Sequence, residues 1–151
     1  MILNRQKKHK IDTRRASRVL KRLMKLLQCE DRDVTVVYLD DDGIRHFNRT
    51  YLGKNSPTNV LSFSLREGDF GDLNPELLGD ILISVERAVD EASRALLPTE
   101  HVLDYLTIHG LLHLLGYDHE ISRKAAGDMR KKEEELFFIL NGYSIQSMPD
   151  P

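Results

Sequence analysis

The segment His109–His119 reads HGLLHLLGYDH and holds three of the chain's six histidines. His109 and His113 are four residues apart, so on a helix their imidazoles leave one face, one turn apart. Gly116 stands where a helix is expected to end in a left-handed cap, and Tyr117-Asp118 can then turn His119 back toward the pair. Burying imidazoles among leucines strips their water, and a metal ion restores the lost interaction. Three neutral imidazoles converging in this way suit Zn2+, one ion per chain, with a fourth position open to water. Zinc lowers the pKa of such a water to about 7. Cys29 is remote in sequence and His101 lies two further turns away, so neither is an evident fourth ligand. An open position points to hydrolytic chemistry.

The same spacing occurs in the metzincin protease signature, whose glycine and third histidine match Gly116 and His119. That signature carries a glutamate general base directly after its first histidine. Here the position is Gly110. A metallopeptidase-like hydrolase is thus an alternative that has the ligand frame and lacks the base.

HGLLHLLGYDH resembles the signature of the YbeY family of metal-dependent endoribonucleases, and PTNVLSF (57–63) and LLGDILIS (77–84) follow that family's order and approximate spacing. The resemblance runs from about Phe47 through Glu120. It implies a zinc-dependent, single-strand-specific endoribonuclease acting in ribosomal RNA maturation and small-subunit quality control. His109, His113 and His119 would be the ligands, and His109 would also be essential to the reaction. The implied partners are ribosomal RNA, small ribosomal subunit proteins and a ribosome-assembly GTPase. A further alternative is an assembly factor with structural zinc, which requires all four coordination positions to be filled by protein.

One departure concerns TYLGK: before its glycine the family commonly has arginine, where this chain has Leu52. An arginine there would stabilise charge developing on a phosphodiester. Arg49 and Lys54 are the neighbouring candidates for that role, weighed against ordinary solvated charges. Asp80 and Asp118 could orient a ligand histidine, although both also fit turn chemistry. By resemblance only, Ser62 and Asn59 would line the cleft. His9, His46 and His101 are read as surface or partly buried groups without a role, and Cys29 as a small buried hydrophobe.

The elements that must position these groups follow from periodicity and punctuation. An amphipathic helix is expected over about 12–28, and VTVVYLD (34–40) is a short β-branched strand. DDGIRHFNRTYLG suits a short helix with acids at its start and Gly53 at its end. Leu61, Phe63 and Leu65 alternate with serines as a strand with one wetter face, and REGDFGDLNPEL is an exposed loop. LLGDILIS is a strand. Ser84 then caps a helix with Val85, Ala88, Val89, Ala92 and Leu96 inward, stopped by Pro98. Thr99 is expected to cap the next helix, apolar on nearly all sides from Val102 to Leu115 and therefore central. A last helix runs from Ser122 to Leu140 with Ala125, Met129, Leu136 and Leu140 inward, and SMPDP (147–151) frays. The expected fold class is α+β: a small mixed sheet of about four strands packed with helices around a buried, metzincin-like zinc helix.

With 151 residues, 40% hydrophobic and 30% charged, the chain suits one zinc-hydrolase domain over 1–151 with a substantial core. No apolar run could cross a bilayer, and MILNRQKKHK lacks the features of a secretory signal. The single cysteine fits a reducing compartment, so a cytoplasmic protein without a membrane partner is expected. Net charge is −2, yet between Arg5 and Lys25 ten bases face one acid, Asp12. Such a segment is either the solvated face of an amphipathic helix or a footprint for a polyanion.

Overall fold

The computed structural model describes residues 1–65 and 76–145. Among these residues four strands form one mixed sheet: β1 (Ile2–Asn4), β2 (Asp33–Leu39), β3 (Val60–Ser64) and β4 (Leu77–Ser84), in the order β1-β2-β4-β3. β1, β2 and β4 run parallel, and β3 closes one edge antiparallel to β4. β1, three residues long, is too short to carry a periodic signal in the sequence. A register shift at Asp33/Val34, opposite Leu77 and Gly79, sets Leu78 as an extra residue in β4. Leu78, Ile81 and Ile83 therefore share the face that packs on the main core, while Leu82 joins a smaller cluster with Leu39 and Ile44.

Among the described residues there are five helices: α1 (Thr13–Leu26), α2 (Asp41–Leu52), α3 (Val85–Ala95), α4 (Thr99–Leu114) and α5 (Arg123–Asn141). Their starts obey local chemistry. Asp12, Asp40, Ser84 and Ser122 each accept a backbone N–H of the first turn, from Arg15, Gly43, Arg87 and Ala125. α2 ends at Gly53 and α5 at Gly142, both left-handed.

Two expectations are corrected. Leu96 is not on the inner face of α3: it takes the left-handed cap conformation (φ 56°) and is 90% exposed, because the turn toward Pro98 swings its side chain outward. Thr99 does not cap α4; Pro98 occupies the cap position and Thr99 is the first helical residue. Proline supplies the extended backbone needed before a helix but no side-chain acceptor. The expected acidic loop and frayed tail fall mainly on 66–75 and 146–151, outside the described residues.

α4 is the central element. Its residues from Val102 to Leu112 are all buried, so helix propensity matters less than the surface removed from water on every side. The polar groups it takes inward are satisfied. Thr107 Oγ1 donates to Leu103 O at 2.7 Å. Asp104, 3% exposed, accepts both terminal nitrogens of Arg15 at 2.9 and 2.7 Å, tying α1 to α4. α4 crosses β3 and β4 on one face of the sheet and packs against α1, α3 and α5; α2 packs over β2 and β4 with the smaller cluster. No helix among the described residues is long and apolar enough to cross a membrane.

Candidate metal centre

His109 and His113 occupy the last two turns of α4, and the helix then stops in a complete glycine cap. Gly116 N donates to His113 O at 3.0 Å and Tyr117 N to Leu112 O at 3.0 Å, the pair of bonds of a Schellman motif. Gly116 has φ +100°, a region that side chains with a β-carbon rarely adopt. This reversal carries His119 back, with ring centroids 5.5 Å from His109 and 5.2 Å from His113. Asp118 Oδ1 accepts Glu120 N at 2.9 Å, so its side chain shapes the returning turn.

His109, His113 and His119 each offer a ring nitrogen, and these three atoms lie within 4.8 Å of one another. The Nε2 atoms of His109 and His113 are 3.0 Å apart. Two zinc–nitrogen bonds at the tetrahedral angle span about 3.3 Å, so the donor set fits such an ion. Electrostatics agrees: burial, then the neighbouring His109 and His119 rings, push His113 below the ordinary histidine pKa and favour the neutral, ligating form. Nδ1 of His119 is buried without a hydrogen-bond partner among the described residues, a second sign of a site built for more than protein atoms. No fourth metal-ligating side chain joins the cluster among the described residues.

The cluster forms the floor of an open cleft of about 660 Å³. One wall is the edge strand β3 and its approach, with Leu52, Lys54, Thr58, Val60, Ser62 and Ser64. The other is the returning turn from Gly116 to Ile121. The structure thus brings Lys54 and Leu52 to the cleft, while Arg49 lies exposed on α2 and is not among the lining residues. Ser62 lines the cleft and donates to Gly110 O at 3.1 Å, fastening β3 to α4. Asn59 turns elsewhere, donating to Glu91 Oε1 at 3.1 Å.

Asp80 is placed away from the histidines. Its neighbour Ile81 meets Gly110 of α4, so the pleat sends Asp80 to the opposite face, among Phe47, Tyr51, Phe63 and Leu82. Burial there pushes its carboxyl above the usual range. The basic stripe of α1 is also remote, since α1 packs on β1, at the far edge of the sheet from β3. His101 has its own partner, Tyr143 Oη at 2.9 Å from Nδ1. Cys29 is buried and free, and burial raises its thiol pKa.

The sequence reading missed Glu133. This residue of α5 is 5% exposed, and its Oε2 lies 3.1 Å from Nδ1 of His109. A signal existed: Glu133 is four residues after Met129 and three before Leu136, on the inward stripe of its helix. A carboxylate in an apolar stripe calls for a buried partner.

A family model described as Endoribonuclease YbeY matches residues 1–141. Endoribonuclease YbeY of Syntrophus aciditrophicus is 48% identical over 145 residues, covering 95% of this chain and 91% of that protein. Its counterpart in Geobacter sulfurreducens is 49% identical over 140 residues, covering 92% and 93%. The solution structure of TM1509 from Thermotoga maritima superimposes with a TM-score of 0.67 at 28% identity, covering 94% of this chain and 90% of that one. The mixed four-stranded sheet, the buried histidine helix and these similarities lead to one conclusion: the chain belongs to the Endoribonuclease YbeY family.

Proposed function

We propose that the protein is a zinc-dependent, single-strand-specific endoribonuclease that acts in ribosomal RNA maturation and small-subunit quality control in the cytoplasm. The observation that carries this reading is the convergence of His109, His113 and His119 on the floor of an open cleft in a chain of this family. These three side chains are the metal ligands, with His109 deepest. Held by these residues, a zinc ion would supply Lewis acidity for phosphodiester hydrolysis. The chain's own groups do the rest. β3 and the returning turn form the two walls between which a strand of RNA lies, and Lys54 places a cation near its phosphates. Small-subunit proteins and a ribosome-assembly GTPase are partners on family grounds.

A peptidase is disfavoured by packing as well as by sequence. A β-carbon at Gly110 would lie 2.6 Å from Ile81 Cγ2 and 3.1 Å from Ser62 Oγ, so this backbone has no room for the protease's glutamate. A purely structural zinc is disfavoured by the cluster's three described ligands and its exposure to the cleft.

The test is cleavage of a structured RNA with single-stranded segments, with and without chelator, by wild type and His113→Ala. Cleavage should vanish on chelation and in the variant, while circular dichroism shows the variant folded. Cleavage at the wild-type rate by a nuclease-free preparation of His113→Ala would overturn the proposal.

A further inference from the structure

Glu133 and His109 face each other from α5 and α4, and both side chains are 7% exposed. The imidazole has two distinct ends. Nδ1 lies 3.1 Å from the Glu133 carboxylate, and Nε2 lies 3.0 Å from His113 Nε2, inside the histidine cluster. A carboxylate only accepts hydrogen bonds, so it holds the single proton of a neutral ring on Nδ1 and leaves the Nε2 lone pair directed at the cluster. It also brings a negative charge next to a site whose three ligands are all uncharged as ligands.

An interhelical tie alone does not account for the residue. Its neighbours on the stripe are Met129, Leu136 and Phe137, each at most 1% exposed. An apolar side chain of similar volume at 133 would pack there without the desolvation cost of a carboxylate. The same carboxylate borders a cavity of about 320 Å³ between α5 and the histidines, on which His109, His119 and Arg130 also open.

We infer that Glu133 is the positioning residue of the metal centre, fixing the tautomer and orientation of His109 and strengthening its hold on the ion. This rests on the reading of the three histidines as metal ligands. Glu133 is not among the residues that line the cleft and acts through His109.

The test starts from the zinc-loaded full chain, challenged with a chromogenic chelator, in wild type, Glu133→Gln and Glu133→Leu. Zinc should leave Glu133→Leu at a chelator concentration roughly 10–100-fold lower than wild type. Glu133→Gln should fall between, because its amide oxygen still accepts the Nδ1 proton but the charge is gone. With cobalt in place of zinc, the visible ligand-field bands should shift in both variants. Metal-free Glu133→Leu should melt no lower than the metal-free wild type. Zinc affinities within twofold of wild type in both variants would overturn the inference, as would a lower metal-free melting temperature with unchanged affinity. Should Glu133→Leu not fold, Glu133→Gln decides alone: wild-type affinity overturns the inference, weakened affinity supports it. A wild-type chain that binds no zinc would remove the metal reading itself, whereas a zinc-binding wild type with unaffected variants removes only the role of Glu133.

Discussion

Gly110 and Ile81 meet so closely between α4 and the sheet that a β-carbon on Gly110 would lie 2.6 Å from Ile81 Cγ2. Ile81 is fully buried in β4 and branched, so it has little freedom to yield. The glycine therefore sets how near the histidine helix comes to the cleft wall. Gly110→Ala should lower stability by about 1–3 kcal/mol through overpacking. Denaturant unfolding checks this; an unchanged midpoint would show that the interface relaxes freely.

Lys54 lines the cleft together with half-exposed Leu52, the position at which the resemblance to the family leads one to expect arginine. Lys54→Ala should reduce RNA cleavage about tenfold, less than the roughly 100-fold or more that losing a preorganised donor costs, because Lys54 stands in an open cleft. Leu52→Arg should raise it. Single-turnover rates decide both, and a Lys54→Ala enzyme as fast as wild type would leave that lysine without a role.

Arg14, Arg18, Lys21, Arg22 and Lys25 are exposed along one side of α1, at the sheet edge away from the cleft. If this stripe contacts RNA, replacing Arg18, Lys21, Arg22 and Lys25 by glutamine should reduce the salt dependence of RNA affinity by roughly 3 in log–log slope. Cleavage at saturating RNA should stay the same. A wild-type slope in the fourfold variant would assign the stripe to solvation alone.

Tyr38 is 2% exposed, and burial, then the nearby Asp104, raise its phenol pKa above the ordinary value of 10.0. In the unfolded chain the phenol ionises near 10; in the folded chain it keeps its proton to higher pH. The stability linked to this difference is intact below pH 10 and is lost as pH rises beyond it, at about 1.4 kcal/mol per pH unit. Tyr38→Phe should flatten that part of the alkaline stability curve. Equal slopes for both proteins between pH 10 and 11 would refute the linkage.

Much of the fold could be read from local chemistry because the signals were local. The acids Asp41 and Asp42 and the closing Gly53 mark the two ends of α2 in sequence as they do in space. The apolar run of α4 announced a helix buried on all sides. Where the reading failed, a neighbouring element had decided. Leu96 matches the inward spacing of α3, but the turn before Pro98 takes it out of the helix. Three-residue β1 exists because β2 offers it a parallel edge.

The candidate site divides along the same line. His109, His113 and His119 are one helical turn and one glycine cap apart, so their convergence is a short-range consequence of backbone geometry that the sequence determined by itself. Membership of the family's motif set was equally a matter of residues in order. Only the tertiary structure decided which more distant side chains belong with them. It carried Asp80 to the other face of the sheet through the pleat of β4 and left Arg49 outside the cleft lining. It brought Glu133, 24 residues away, to the back of His109 by packing α5 on α4. Helix packing angles and sheet faces depend on the whole core at once, and no local window of sequence contains that information.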